Sequence, residues 1–491
     1  MLVALTRKVG SERKSKWVWL IANCYLLIAG VQMLDQSRAE KIFEKIKKFS
    51  SVEEVEVIFS SADFSLTRFA NNTIHQNVAE VNEAASIRVA FDGKTARATT
   101  NRFDDEGLKR AVQSAESIAR VQEPDSDFLP MANASEGKGP EGPSRWADQT
   151  AAITPADRAE GVGKIVGVAK KNKLVTAGIY SSSQSAEAVI NSKGLSVYHR
   201  QTSAEVSITM LADSSSGWQK ANSPDVKNVD PVRLAEIAAQ KARDSQSPRE
   251  LPPGKYTVIL EPAAVLDLVG FMFWDFGGLA ILDQRSFLNN RIGTKLFGEN
   301  ITIIDDVAHP LQSNAPFDGE GVHRQRVSLV EKGVIRNIVY ARSTAAKMRK
   351  SEYKDKVGEI SVTGHGFPLP NEMGEAPTNI VFVTPGNEQT VEQMIAGTER
   401  GILITRLWYI REVDPYEKIL TGMTRDGTFL VEGGKVKHGL LNFRFNQSLI
   451  EMLNNVEAMG KAVRASGEEA FDMVVPAMKI RGFNFTEVTK F

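Results

Sequence analysis

Residues 421–460, TGMTRDGTFLVEGGKVKHGLLNFRFNQSLIEMLNNVEAMG, constrain the fold more than any other stretch of this chain. Two turn signals, Asp426-Gly427 and EGGK at 432–435, flank the alternating segment 428–431. Asp-Gly and Gly-Gly pairs suit hairpin turns because such turns need positive φ. Further on, Asn446 is placed to cap a helix, with Leu449, Ile450, Leu453 and Val456 at helical spacing. The stretch therefore predicts β-hairpins set against one helix, an α+β unit.

The rest of the chain arranges itself ahead of that unit. Asp35 is placed to cap a helix whose inner face is Ala39, Ile42, Phe43, Ile46 and Phe49. Strands are expected at 55–59 and 64–76, then a hairpin over 85–99 turning at Asp92-Gly93, then a helix near 106–120. Residues 123–145 collect Pro, Gly, Ser and Asn and read as a linker. Thr154-Pro155 opens the next helix, because Pro at the first helical position forfeits no hydrogen bond. Strands near 175–183, 188–191, 195–202 and 205–211, a turn at 191–194, and a helix from Asp230-Pro231 to near Arg243 repeat the plan. A second linker, 245–254, holds Pro248, Pro252 and Pro253.

Beyond it the pattern gives a strand at 256–260, an apolar helix over 262–276, and a strand at 301–306. A hairpin over 327–339 turns at Glu331-Lys332-Gly333, and strands at 379–383 and 401–413 enclose a short helix from Thr390. The predicted class is α+β. Two smaller helix–strands–helix domains, 33–122 and 151–244, are joined by linkers 123–150 and 245–254 to a large β-rich C-terminal domain, 255–491. A chain of 491 residues is long enough for two or three such domains.

Charge narrows the function. Lys+Arg and Asp+Glu number 60 each. No basic excess drives counterion release, so nucleic acid is not an expected partner. The single cysteine, Cys24, excludes an internal disulfide and any Cys-rich zinc site, which suits a reducing compartment. Arg7, Lys8, Arg13, Lys14 and Lys16 precede an apolar run at 17–31, the layout of a signal peptide. That run falls short of the roughly 20 residues of a membrane span. Residues 1–32 are read as upstream sequence before a start at Met33, with a functional leader or anchor as the alternative. A cytoplasmic protein without stable membrane association is expected, with export or anchoring following from the alternative.

Few side chains announce chemistry. There is no Gly-x-Ser-x-Gly elbow and no Gly-rich phosphate loop. The histidines are His75, His199, His309, His323, His365 and His438, and none pairs at helical spacing. Asp305, Asp306 and His309 look like a ligand set, but read more simply as a strand running into a solvated acidic loop. In TGHGFPLPN, 363–371, glycines and prolines shape a loop around His365 and Phe367. Such loops carry contacts, and the plainer reading is an exposed loop histidine. In ITRLWYIREV, 404–413, alternation puts Arg406 and Trp408 on one face and Leu407 and Tyr409 on the other. Trp and Arg recur at interaction hot spots, although a half-buried strand explains the pattern equally well. His365, Phe367, Arg406 and Trp408 are thus the candidates for peptide or partner contacts. Phe271, Phe273, Trp274 and Phe276 read as core aromatics on a helix.

Four segments, TRFANNTIHQNV at 67–78, FDGEGVHRQR at 317–326, APTNIVFVTPG at 376–386 and the stretch 421–460, occur in that order. Together they resemble the TldD/PmbA family, from about Leu34 to the end of the chain. Peptidase members of that family carry His-Glu-x-x-x-His on a helix early in the C-terminal domain and a Cys near the C-terminus. The histidines and the Cys hold zinc, and the Glu activates water. The corresponding segment here, PAAVLDLVGFMFWDFGG at 262–278, has no His, and its acids are Asp267 and Asp275. No Cys follows Gly460. The resemblance therefore implies a TldE-like member with no catalytic or metal-ligating residue and no cofactor of its own, inactive alone. Zinc is expected in a TldD-like metallopeptidase partner, and small or unfolded peptides, held by strand addition, are the expected substrates. The alternatives are a metallopeptidase with rearranged ligands from His309, His323 or His365, and a non-enzymatic scaffold or regulator.

Overall fold

Capping chemistry sets the first helix. In the computed structural model, which describes residues 33–489, Asp35 accepts the Arg38 N–H at 2.7 Å and starts α1 (Gln36–Phe49). The expectation for residues 1–32 lies outside the described residues. Strands β1 (Glu54–Ala70) and β2 (Thr73–Phe91) follow, and β3 (Lys94–Thr100) comes after the Asp92-Gly93 turn. The separate strands expected at 55–59 and 64–76 are instead one strand and a turn. Asn71 and Asn72 both take positive φ, which Asn tolerates, and reverse the chain there. Helix α2 (Asp105–Val121) closes this segment, capped by Asp104.

The next segment starts with a reciprocal capping box between Thr154 and Asp157 at the head of α3 (Pro155–Lys171). Strands β4 (Val175–Asn191), β5 (Ser196–Ala212) and β6 (Ser215–Ser223) and helix α4 (Pro231–Asp244) complete it. The expected pairs of short strands are each one long strand. All six strands form a single antiparallel sheet, ordered β3-β2-β1-β4-β5-β6. Alternation gives that sheet two different faces. Val55, Val57 and Phe59 pack under α1 and α2, while Ile58 turns to the opposite side and meets Phe317 of the C-terminal domain.

The C-terminal part begins with β7 (Gly254–Leu260) and the buried helix α5 (Pro262–Val269). The helix expected over 262–276 is α-helical only to Val269 and then tightens into 3-10 turns over Gly270–Phe276. Strands β8 (Ile303–Asp305), β9 (Val327–Glu331), β10 (Val334–Ile335) and β11 (Ile380–Phe382) follow. Next come β12 (Arg400–Asp414), β13 (Ile419–Glu432), β14 (Lys435–Gly439) and β15 (Phe443–Ser448). Helix α6 (Leu449–Asn454) precedes β16 (Val456–Met459), β17 (Val463–Ala465), β18 (Met473–Val475) and β19 (Met478–Val488).

One sheet runs β10-β9-β8-β11-β18-β17. In the other, β12 pairs β7, β7 pairs β19, β19 pairs β15, β15 pairs β13, and β13 pairs β12 again, so the strands close into a ring. The class is α+β, with helix-and-strand N-terminal segments and a β-rich C-terminal region. Among the described residues no helix is long and apolar enough to cross a membrane.

The segment 421–460 differs from its sequence reading in two places. Asp426-Gly427 is not a hairpin turn. Both residues keep positive φ, but β13 runs through them, and the two lie opposite Thr405 alone as a β-bulge. Asn446 lies within β15, and it is Ser448 that caps α6, accepting the Glu451 N–H. The Gly433-Gly434 turn is as expected.

The bulge yields a test. Gly427 has φ +133°, and a Cβ there would collide with Thr405 Oγ1. Gly433 has φ +56° and open space around it. Gly427→Ala should cost about 2–3 kcal/mol in denaturant unfolding, and Gly433→Ala about 1 kcal/mol. Equal losses would show that the contact with Thr405 does not matter.

Candidate functional site: the cleft between the sheet and the C-terminal domain

Helix α5 occupies the segment where the family resemblance places a zinc-binding helix. Ala264, Val265, Leu266, Leu268 and Val269 are buried, and Asp267 is its one charged residue. Asp267 Oδ1 accepts backbone N–H groups from Glu468 at 3.1 Å and Glu469 at 3.0 Å. Burial pushes this carboxyl up to about 7, with those N–H groups acting in the opposite direction. Asp275 is engaged elsewhere, 2.5 Å from Lys418 Nζ. These residues do not fit a zinc centre, because the helix brings no imidazole and its carboxylate is tied to backbone. Among the described residues no group of three or more His, Cys, Asp or Glu converges to hold a metal. His309, His323 and His365, the alternative ligand set, do not come together.

Asp305 and His365, singled out separately in the sequence, meet in the interior. Asp305 does not lead into a solvated loop. It is fully buried, and its Oδ2 accepts the N–H groups of Thr378 and Asn379, each at 2.8 Å. His365 is not an exposed loop residue either, at 1% exposure. Its Nε2 lies 3.0 Å from Asp305 Oδ1, and its Nδ1 lies 3.0 Å from Thr363 Oγ1. Burial by itself would raise the Asp305 carboxyl, yet His365, the field of Arg324 and the Asn379 N–H hold it below the usual range. Asp306 faces Arg326 instead, at 3.6 Å.

Phe367, two residues beyond His365, stacks on Trp274 with ring centroids 5.9 Å apart. Trp274 is 48% exposed, so it is not a core residue as its sequence neighbours suggest. Both rings line a cleft of about 840 Å³. Ser60, Ser61 and Ala62 of β1 and Ser185, Ala186 and Glu187 of β4 form its floor. The C-terminal domain supplies the walls, including Phe317, Arg324 and Arg464.

Arg406 and Trp408 lie elsewhere. Arg406 is buried, bonded through Nε to Asp426 Oδ2 at 2.8 Å and placed over the rings of Trp218 and Trp408. It therefore ties β12 to β6. The expected alternation fails at Tyr409, which takes φ +56° at a bulge and is 54% exposed, while Leu407 is buried.

Sequence reasoning missed the acids of FDGEG. Asp318 accepts N–H groups from Glu320, Val322 and Gly366 and is buried. Glu320 is buried beside it, 3.4 Å from Arg342, which in turn reaches Glu136 at 2.8 Å. Burial and then the Asp318 carboxylate raise Glu320 to about 7, with Arg342 and Arg88 opposing. An acid–glycine–acid–glycine run was the available signal, since short backbone turns bury carboxylates against N–H groups.

Two outcomes follow. His365→Ala strands Asp305 in the interior and should cost about 3 kcal/mol in denaturant unfolding. For Glu320 the folded state holds the proton more tightly than the unfolded chain. Its contribution is present below about 4.5 and lost as pH rises through about 7. Glu320→Gln should therefore flatten the fall in thermal midpoint between pH 5 and pH 8, by up to about 3 kcal/mol in stability. An unchanged pH profile would remove Glu320 as its source.

Comparison with known proteins places this architecture. Models for PmbA/TldA metallopeptidase domain 1, central domain and C-terminal domain match residues 55–119, 148–246 and 253–487. Metalloprotease PmbA of Escherichia coli O157:H7 is 21% identical over 415 residues, covering 81% of this chain and 86% of its own length. An uncharacterized protein of Methanocaldococcus jannaschii is 25% identical over 345 residues, covering 69% of this chain and 77% of its own. The crystal structure of TldE from Thermococcus kodakarensis superposes with a TM-score of 0.79 at 21% identity, covering 91% of this chain and 99% of its own. A protein described as a modulator of a DNA gyrase, from Thermotoga maritima, gives 0.79 at 20% identity, covering 91% and 100%. Matched in order by all three domain models, the chain belongs to the PmbA/TldD metallopeptidase family.

Proposed function

We propose that this chain is the non-metal, TldE-like subunit of a heteromeric metallopeptidase that acts on small or unfolded peptides. The observation that carries the reading is the contrast between α5 and the cleft beside it. The helix holds a single carboxylate tied to backbone N–H groups, while a cleft of about 840 Å³ remains open between sheet and walls. On this reading the zinc and the activated water belong to a TldD-like partner, and this chain helps to build the peptide chamber. The floor strands β1 and β4 are paired on both sides, so strand addition is not available there. Side chains and wall segments hold the peptide instead. Phe367 lines the cleft and is placed to do so, while Arg406 serves the contact between domains.

The test is expression of the full chain alone and together with a TldD-like chain carrying His-Glu-x-x-x-His. Alone, it should bind no stoichiometric zinc and leave an unstructured peptide intact. Co-expressed, the two should co-purify, bind zinc and cleave the peptide until a chelator is added. Stoichiometric zinc and chelator-sensitive cleavage by the isolated chain would overturn the reading.

A further inference from the structure

Three polar atoms around the cleft are buried: Arg324 Nη1, which has no hydrogen-bond partner, and His199 Nε2 and Gln201 Oε1, whose side chains face each other. All three residues line the cleft, and His199 and Gln201, two positions apart on β5, point from the same face. Folded proteins leave very few buried polar groups unpaired, so an unpaired guanidinium nitrogen beside this cavity marks a place that an outside polar group completes.

The charge around them identifies that group. Arg324 is held by its Nε, which donates to Phe317 O at 3.1 Å, and by its backbone N–H, which donates to Pro316 O at 2.8 Å. Among the described residues its guanidinium forms no ion pair. The acids that feel it are otherwise engaged. Asp305 is bound by Asn379 and faces His365, and Asp318 takes three backbone N–H groups. Glu187, opposite His199 in the β4–β5 register, is pushed toward its neutral form by burial, with Arg324 opposing.

An adjoining cavity of about 340 Å³ shares Arg324 and His199 with the cleft and adds Arg145, Arg200 and Arg326, against Glu141 and Asp306. In that adjoining cavity positive charge exceeds negative charge, while in the cleft itself Arg324 and Arg464 meet Glu187, Asp318 and Asp472, the last paired with Arg464 at 2.9 Å. A planar guanidinium held in one orientation suits a carboxylate better than a point cation would. The stacked rings of Trp274 and Phe367 line the same cleft and suit an apolar side chain.

We propose that the cleft recognises the C-terminal carboxylate of a peptide, which Arg324 receives with His199 Nε2–H and the Gln201 amide beside it. The Gln201 amide turns about its last torsion to present its N–H groups. This inference rests on the peptide-chamber reading above and adds which end of the peptide is bound. It selects chain ends and short peptides over internal loops.

The test is fluorescence anisotropy of the full chain, alone and in its complex, with an N-terminally fluorescein-labelled apolar hexapeptide. The peptide is used as the free acid, as the carboxamide, and as a carboxamide carrying an internal Glu. The free acid should bind about tenfold tighter than either carboxamide. In Arg324→Gln the advantage should vanish while carboxamide affinity stays the same. If that variant fails to fold, the wild-type ratio decides the matter. Equal binding of acid and plain carboxamide overturns the inference and leaves the peptide chamber standing. Binding of the Glu-bearing carboxamide as tight as the acid also overturns it, because the site then reads a side chain. Failure of every peptide to bind, alone and in the complex, overturns both readings.

Discussion

β1 and β4 pair without a break from Glu56–Asn191 to Phe69–Gly178, and this ladder turns two separate chain segments into one slab. Each segment alone would be a three-stranded hairpin array with two helices. Joined, they present helices on one side and a broad face on the other, against which the C-terminal domain packs. Ser60, Ser61 and Ala62 on β1 register against Glu187, Ala186 and Ser185 on β4, so the ladder is also the floor of the cleft. Small side chains there keep the cleft open. The backbone bonds beneath them keep it from collapsing.

The C-terminal domain is held on that slab by buried charge and by clamps on backbone. Glu56 on β1 is 2.7 Å from Arg97, whose Nε donates to Leu369 O in the loop beyond Phe367. From the segment between the N-terminal domains, Arg145 donates to the carbonyls of Val307, His309 and Pro310. That segment lacks the strands and long helices around it, yet it acts as a strap and not as a loose tether. Buried ion pairs are costly to desolvate and lose their return when misplaced, so such contacts favour one relative placement of the domains.

Local chemistry was largely legible in the sequence. The caps at Asp35 and Thr154, the Asp230 side chain that accepts the Val232 and Arg233 N–H groups, and the Thr390–Gln393 capping box ahead of the short helix Val391–Ala396 depend on a few adjacent residues, and so does the Asp92-Gly93 turn. Ambiguity entered where one local signal serves two geometries. Asp426-Gly427 asks for positive φ, which a bulge satisfies as well as a turn, and only the partner strand decides between them. Long-range pairing was not legible. Asp305 and His365 each drew notice for a different reason, because what makes them a unit is a shared interior that appears only when β8 and the 363–371 loop are brought together. Arg324 was hidden for the same reason: an arginine in a polar run carries no mark of lacking a counter-ion. The absence of His from α5 could be read directly, since it concerns residue identity and not placement.

Asp267 joins α5 to the loop at 468–469 through two hydrogen bonds. In a peptidase member of the family, zinc held between the helix and a Cys near the C-terminus would cross-link these same two regions. Here the cross-link is made of the chain's own atoms, between a carboxylate and peptide N–H groups. A metal cross-link couples folding to metal concentration. A carboxylate cross-link with its titration near neutrality couples it to proton concentration. The stability of this wall is thus linked to pH through a carboxyl that burial raises, where a metal-bound relative links it to metal.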